Sequence, residues 1–240
     1  MVSIQKLLEY AAQWVGYCEK KSENHLDSFT ENAGRNNYTR FSRDYKEHTG
    51  IDVQGQPWCD VFVDECFICV FGITKAKALL HGFSAYTPTS AYFFKEHLQW
   101  HSSNPKPGDI IFFENSKRIC HTGIVCEVKD GRVFTYEGNT SGGTKLVENG
   151  GCVANKSYAL SYEKIAGYGR PDYSIVEEDF FMEELEKLKK EFDAYVAHTT
   201  GIINTMGQEI QSVMKENERQ NNIINLMGQE LEDLRKGKVI

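Results

Sequence analysis

The stretch PGDIIFFENSKRICHTGIVCEVKDGRVFTYEGNTS, residues 107–141, decides the fold. Pro107-Gly108 breaks the preceding texture, and three short apolar runs follow, at Asp109 to Phe113, His121 to Val128 and Val133 to Glu137. Each is too short for a helix and rich in Ile, Val, Phe and Tyr, so they read as successive strands of an antiparallel sheet. Parity then decides what faces what across the last two. A two-residue Asp130-Gly131 turn would pair Val128 with Val133 and leave His121 facing away from Glu137 and Asn139. A three-residue loop, Lys129-Asp130-Gly131, with Gly131 left-handed in a G1 bulge, pairs Val128 with Arg132 instead. His121 then lies opposite Asn139 and Gly123 opposite Glu137, and the missing side chain at Gly123 lets the carboxylate reach the imidazole diagonally. The three-residue loop is therefore the expectation.

Working outward, one more strand is expected near Ile165 to Tyr168, whereas everything upstream is helical or irregular. Trp58 to Phe71 places Cys59, Phe62, Val63, Cys66, Cys69 and Val70 on one helical face, bounded by Pro57 and Gly72. Thr74 to Leu80 forms another short helix, and Thr87-Pro88 opens one running toward Trp100. Near the start, Ile4, Leu7, Leu8, Ala11, Ala12 and Val15 recur at helical spacing with charges interleaved. Met1 to Lys21 thus reads as an amphipathic helix with Ser3 as N-cap and Gly16 near its end, not as an export signal. Lys20 to Gly55 is polar and aperiodic, a long loop with room for one helical turn. Helices first and strands second make residues 1–176 an α+β domain.

The C-terminal segment, 177–240, has a different period. Leu185, Phe192, Met206, Val213, Met227 and Leu234 fill one heptad set, and Val196, Ile203, Ile210, Ile224 and Leu231 the other. The run from Ile203 to Ile210 recurs from Ile224 to Leu231 at an offset of 21 residues, three heptads in phase. The reading is a coiled coil joining copies of the chain in parallel, because Asn217 and Gln220, the polar seam positions, would then meet their own copies. A lone amphipathic helix or a hairpin folded on the domain is the alternative, since the polar run at 215–222 can hold a turn.

Composition removes several classes of function. Of 240 residues 40% are hydrophobic, enough for a real core, yet no apolar run approaches the roughly 20 residues of a membrane span. A formal net charge of -7 disfavours a nucleic-acid partner. From Glu177 onward, 14 acidic and 8 basic residues carry most of that charge, so the first 176 residues are nearly neutral. Seven cysteines leave at least one unpaired, without paired metal knuckles, and point to folding in a reducing compartment.

One of these cysteines stands where chemistry is expected. Cys59 opens the buried helix, where unpaired N–H groups and the helix dipole favour the thiolate. Taken alone it is more readily one further buried thiol, like Cys66 and Cys69. A thiolate nucleophile needs a base, and His121, opening a strand among small residues, is the candidate; the other histidines sit in polar loops, on helices or in the C-terminal coil. Glu137 and Asn139 alternate on one face and supply an orienting group. Gln56 or Gln54 is a candidate oxyanion donor beside the Cys59 N–H, and Trp58, Tyr86, Tyr92 and Phe93 are candidates for a substrate groove or for the core.

The segments GYCEKKS, NNYTRF, QPWCDVFVDECF, AYTPTSAYFF, PKPGDIIFF, HTGIV, YEGNTS and IAGYGRPDY, in this order across residues 1 to 173, resemble the CHAP amidohydrolases and peptidases, especially those of phage and prophage lysins of Gram-positive bacteria. The resemblance implies a papain-like α+β fold cutting an amide bond of peptidoglycan, with Cys59 as nucleophile, His121 as base and Glu137 and Asn139 orienting or polarising it. It implies a protein made in the bacterial cytoplasm and acting at the wall after release or within a virion. No cofactor is required. Some relatives bind calcium in the loop before the nucleophile, where Asp27 and Asp44 lie here without a dense alternation of carboxylates. Where other lysins carry a wall-binding module, this chain has its heptads. The alternative is therefore an oligomeric virion or tail component whose domain mainly binds wall peptide.

Overall fold

In the computed structural model, which describes residues 2–237, the chain divides into a compact unit ending at Phe181 and a second unit beginning at Met182. Met1 and 238–240, the outer ends of the two expected segments, lie outside the described residues. The elements in order are α1 (Val2–Ala12), α2 (Arg40–Thr49), α3 (Cys59–Phe71), α4 (Ile73–Leu80), α5 (Thr87–Glu96), β1 (Trp100–His101), β2 (Ile110–Glu114), β3 (Ile119–Lys129), β4 (Arg132–Thr140), β5 (Cys152–Ala159), β6 (Ile165–Gly169) and α6 (Ser174–Arg235). The strands form one antiparallel sheet in the order β1-β6-β2-β3-β4-β5. Among the described residues no helix is long and apolar enough to cross a membrane.

Helix α3 is the centre of the unit. It packs against β3 and β4 and is covered by α1, α2 and α4. Val61, Phe62, Cys66 and Phe67 are fully buried, each large side chain contributing about 1.5–3 kcal/mol by leaving water. The expectation of a single apolar face is corrected, because α3 is buried almost all round as far as Ile68 while Cys69 is exposed. Burying the whole circumference brings Asp60, Asp64 and Glu65 inside, each with a partner. Ser90 Oγ donates to Asp60 (2.7 Å), the Ser84 N–H to Asp64 (3.2 Å), and Glu65 meets His48 Nδ1 (3.1 Å).

Three further expectations change. Helix α2 lies inside the segment expected to be a long loop; Thr39 caps it by accepting from the Ser42 N–H, and Gly50 ends it with φ +78°. Ser3 is no N-cap. It sits within α1, its hydroxyl and the Val2 N–H bonded to Glu177 at the start of α6. Tyr173 donates to Gly108 O (2.8 Å), Val176 is buried, and Phe180 stacks edge-on against Phe71 (5.7 Å). These contacts hold the first turns of α6 in the compact unit, as far as Phe181. From Met182 the second unit is helix to Arg235, with Met206, Ile210, Val213, Ile224, Met227 and Leu231 exposed.

The β3–β4 hairpin reaches the expected facing by an unexpected route. Lys129 pairs with Arg132, so the turn is the two-residue Asp130-Gly131, both residues having positive φ (51° and 71°). The three-residue loop is not formed. The missing step of register comes from a bulge at Cys126: Glu127 pairs with Phe134, but Val125 pairs with Thr135 and Ile124 with Tyr136. Beyond the bulge the offset equals the one a three-residue loop would have set.

Candidate active site

Cys59 is the first residue of α3, so its backbone N–H has no intrahelical acceptor and its side chain stands at the positive end of the helix dipole. It is 5% exposed at the floor of a cleft of about 350 Å³ lined by Val53, Gln56, Pro57, Tyr86, Arg118 and Cys120 among others. His121 and Glu137 are fully buried, and His121 Nε2 lies 2.9 Å from Glu137 Oε2. The reach depends on Gly123, where a Cβ would sit 2.5 Å from Glu137 Cγ and 2.8 Å from the Tyr136 carbonyl. Gly138 similarly lets β4 lie against Phe62 and Trp58 at the head of α3.

The carboxylate is itself held. Thr135 Oγ1 donates to Glu137 Oε1 (2.6 Å) and Tyr158 OH to Oε2 (3.1 Å). With Nε2 turned to Glu137, the other ring nitrogen is left for the thiol side: Nδ1 is buried without a hydrogen-bond partner. Burial alone would lower the imidazole's affinity for a proton, but Cys59 and then Glu137 outweigh it and raise His121 to about 10. The group that follows the thiol is unusual too. Burial raises the Asp60 carboxyl to about 7, with Ser90 and His121 pulling the other way.

The remaining sequence candidates separate. Asn139 does not hydrogen-bond His121. It has φ +54° in a β4 bulge, accepts from the Gly151 N–H (3.4 Å), and keeps a buried Nδ2 without a partner. Gln54 is spent on the backbone of Thr39, donating to its carbonyl (2.8 Å) and accepting from its N–H (3.0 Å), whereas Gln56 lines the cleft. Trp58, a candidate for either the groove or the core, is wholly buried, stacked on Phe41 (5.6 Å) with Nε1 donating to Glu19 (2.9 Å), and so belongs to the core. Tyr86 lines the cleft, while Tyr92 is exposed elsewhere and Phe93 packs on Gly82.

Calcium does not fit the two carboxylates, Asp27 and Asp44, that lie where some relatives bind it. Arg43 donates to both oxygens of Asp27 (2.9 and 2.9 Å) and to Asp44 (2.8 Å), and Arg40 donates to Asp44 (3.1 Å). The bonds from Arg43 hold the Asp27 carboxyl below the usual carboxylate range. Two guanidinium groups already satisfy these oxygens, and a divalent ion would have to displace them and face their charge.

Sequence reasoning did not find the supports. Tyr158 lies on the unforeseen β5, and Thr135 carries no mark of its role. Cys18 is disulfide-bonded to Cys152. The link stands beside Gly151, which binds both Asn139 and, through its carbonyl, the Glu19 N–H (2.7 Å). Residues 51–139 match the model of the CHAP domain, a stretch that contains Cys59, His121, Glu137 and Asn139. No curated protein matches the chain.

Proposed function

We propose that this chain is a cysteine-dependent hydrolase that cuts an amide bond of bacterial peptidoglycan, as a lysin of phage or prophage origin in Gram-positive hosts. The observation that carries the reading is the buried His121, bonded to Glu137 through Nε2 and presenting a partnerless Nδ1 on the side of Cys59. The CHAP match supports peptidoglycan amidase- or peptidase-type chemistry. The thiol proton passes to His121, and the Cys59 thiolate attacks the amide carbonyl. The oxyanion is received by the Cys59 N–H at the start of α3 and by the side chain of Gln56. His121 protonates the leaving amine through Nδ1, Glu137 steadying the imidazolium, and water then releases the acyl group as a carboxylic acid. Synthesis takes place in the bacterial cytoplasm, with action at the wall after release or within a virion, where the Cys18–Cys152 bond can close.

The helix beyond Phe181 joins copies of the chain into a homo-oligomer. An apolar seam exposed over seven heptads, with an in-phase repeat and Asn217 within it, supports self-association as its cover. Clustered domains would raise avidity for a repetitive polymer in place of a separate wall-binding module. Mass spectrometry of fragments released from purified wall tests the activity: new amine termini are expected with the intact chain and none with folded Cys59→Ala or His121→Ala. Wall binding without release would favour the oligomeric virion component, and light scattering giving a monomer would refute the coil's role.

A further inference from the structure

We propose that the Cys59 cleft selects wall peptides bearing a free carboxylate near the scissile amide, and that Arg118 is the specificity-determining residue that reads it. The proposal rests on the hydrolase reading above. Among the described residues lining the cleft, Arg118 alone carries a charge; its neighbours there include Val53, Pro57, Ala85 and Thr87. Its guanidinium is held in two ways, by donation from Nη1 to the Ile119 carbonyl (2.8 Å) and by lying over the Tyr86 ring (5.3 Å). Nε and Nη2 donate to no protein group among the described residues. Elsewhere in the domain Arg40, Arg43 and Arg170 are each spent on an aspartate. An arginine fixed in plane, exposed to water and left without a carboxylate is a fork ready for one.

Position ties this fork to the reaction. Arg118 stands two residues before Cys120 and three before His121, where β3 begins. Burial, followed by Glu148, raises the Cys120 thiol to about 12, and of the smaller influences Arg118 lowers it while Cys59 raises it. Arg118 and Cys59 line the same cleft of about 350 Å³, so an anion on Arg118 lies within the span of a short peptide from the nucleophile. Glu148, which borders the cleft through Cys120, is engaged by Asn115 Nδ2 (3.2 and 3.3 Å) and by the Cys120 thiol, and does not itself line the cleft. In a wall peptide the anionic groups are the carboxylates of its acidic residues and its C-terminus.

The test uses the full-length Cys59→Ala chain and one synthetic wall stem peptide in two forms, with its carboxylates free or all converted to carboxamides. The free acid is expected to bind about tenfold tighter, with the advantage shrinking as salt is raised. Arg118→Gln in the same background should remove that preference while leaving affinity for the carboxamide form unchanged, and Arg118→Lys should restore part of it. Equal binding of the two forms, no binding of either, or a preference that survives Arg118→Gln overturns the proposal. Fragment release from purified wall by the intact chain is measured in parallel. Failure there removes the hydrolase reading, whereas the peptide pair still decides Arg118.

Discussion

Replacing Gly123 with alanine should damage the site without touching any group that does chemistry. The new methyl would start 2.5 Å from Glu137 Cγ and 2.8 Å from the Tyr136 carbonyl oxygen. The first clash is relieved by swinging the Glu137 side chain, the second only by moving β4, and both draw Oε2 away from a 2.9 Å contact with His121. Overpacking of this kind costs about 1–3 kcal/mol of stability. Displacing the orienting carboxylate by about 1 Å should slow turnover by about 10²-fold. Thermal unfolding and the initial rate of fragment release from purified wall measure the two effects. Glu137→Gln should lose a comparable amount, less than Cys59→Ala, and the double variant should be little worse than either single one, since both act through the same bond. Gly131→Val supplies the contrast: it forces a β-branched residue to φ +71° at the hairpin turn and should cost about 1–2 kcal/mol with the rate kept. A folded Gly123→Ala chain turning over at the unmodified rate would refute the idea that this glycine makes room for Glu137.

Other perturbations separate support from chemistry. Cys66→Ala opens a cavity in α3 and should lower stability by about 1 kcal/mol or more, whereas Cys69→Ala, on the exposed side, should leave the unfolding temperature nearly unchanged; equal losses would contradict the burial pattern. Cys18→Ser removes a link closing 134 residues and should cost about 2–4 kcal/mol, matched in the unmodified chain by a reductant; an unfolding temperature indifferent to both would show that the bond contributes nothing. The buried carboxyls of α3, Asp64 among them, should contribute stability that falls as pH rises. Burial raises the Asp60 and Glu65 carboxyls to about 7, so the folded chain holds protons there that the unfolded chain has released, and stability is lost from about pH 4 up to 7. His121, lowered by burial but raised on balance to about 10 by Cys59 and Glu137, adds stability that is complete below about pH 6.5 and lost as pH approaches 10. Asp60→Asn with Glu65→Gln should flatten the lower part of this profile, and an unchanged slope in that variant would dispose of the assignment.

How much of this was legible depends on how far apart the deciding residues lie. Pro57 and Gly72 bracket α3, and short apolar runs rich in Ile, Val, Phe and Tyr mark β2, β3 and β4, because those signals are local. The facing of His121 and Glu137 was reached with the wrong turn: Asp130 accepts a left-handed conformation, so the two-residue turn forms, and the compensating bulge falls at Cys126, which has no glycine to announce it. Helix α2 was hidden because only Phe41, Ser42 and Tyr45 are buried among charged neighbours, although Thr39 and Gly50 mark its ends. In β5 the buried residues are Val153 on the face toward α3 and Lys156 and Tyr158 on the opposite face. A buried lysine, held by Thr140 Oγ1 (3.1 Å) and the Lys145 carbonyl (2.7 Å), breaks the apolar alternation that identifies a strand. Trp58 followed the same rule from the other side, since its role turns on Glu19, 39 residues earlier. The groups expected to perform chemistry lie on one helix start and one hairpin, and could be read locally. Glu19, Cys18, Cys152 and Tyr158, which keep those groups in place, reach the site only through long-range contacts, so a substitution that disables it without touching Cys59 or His121 should be sought there.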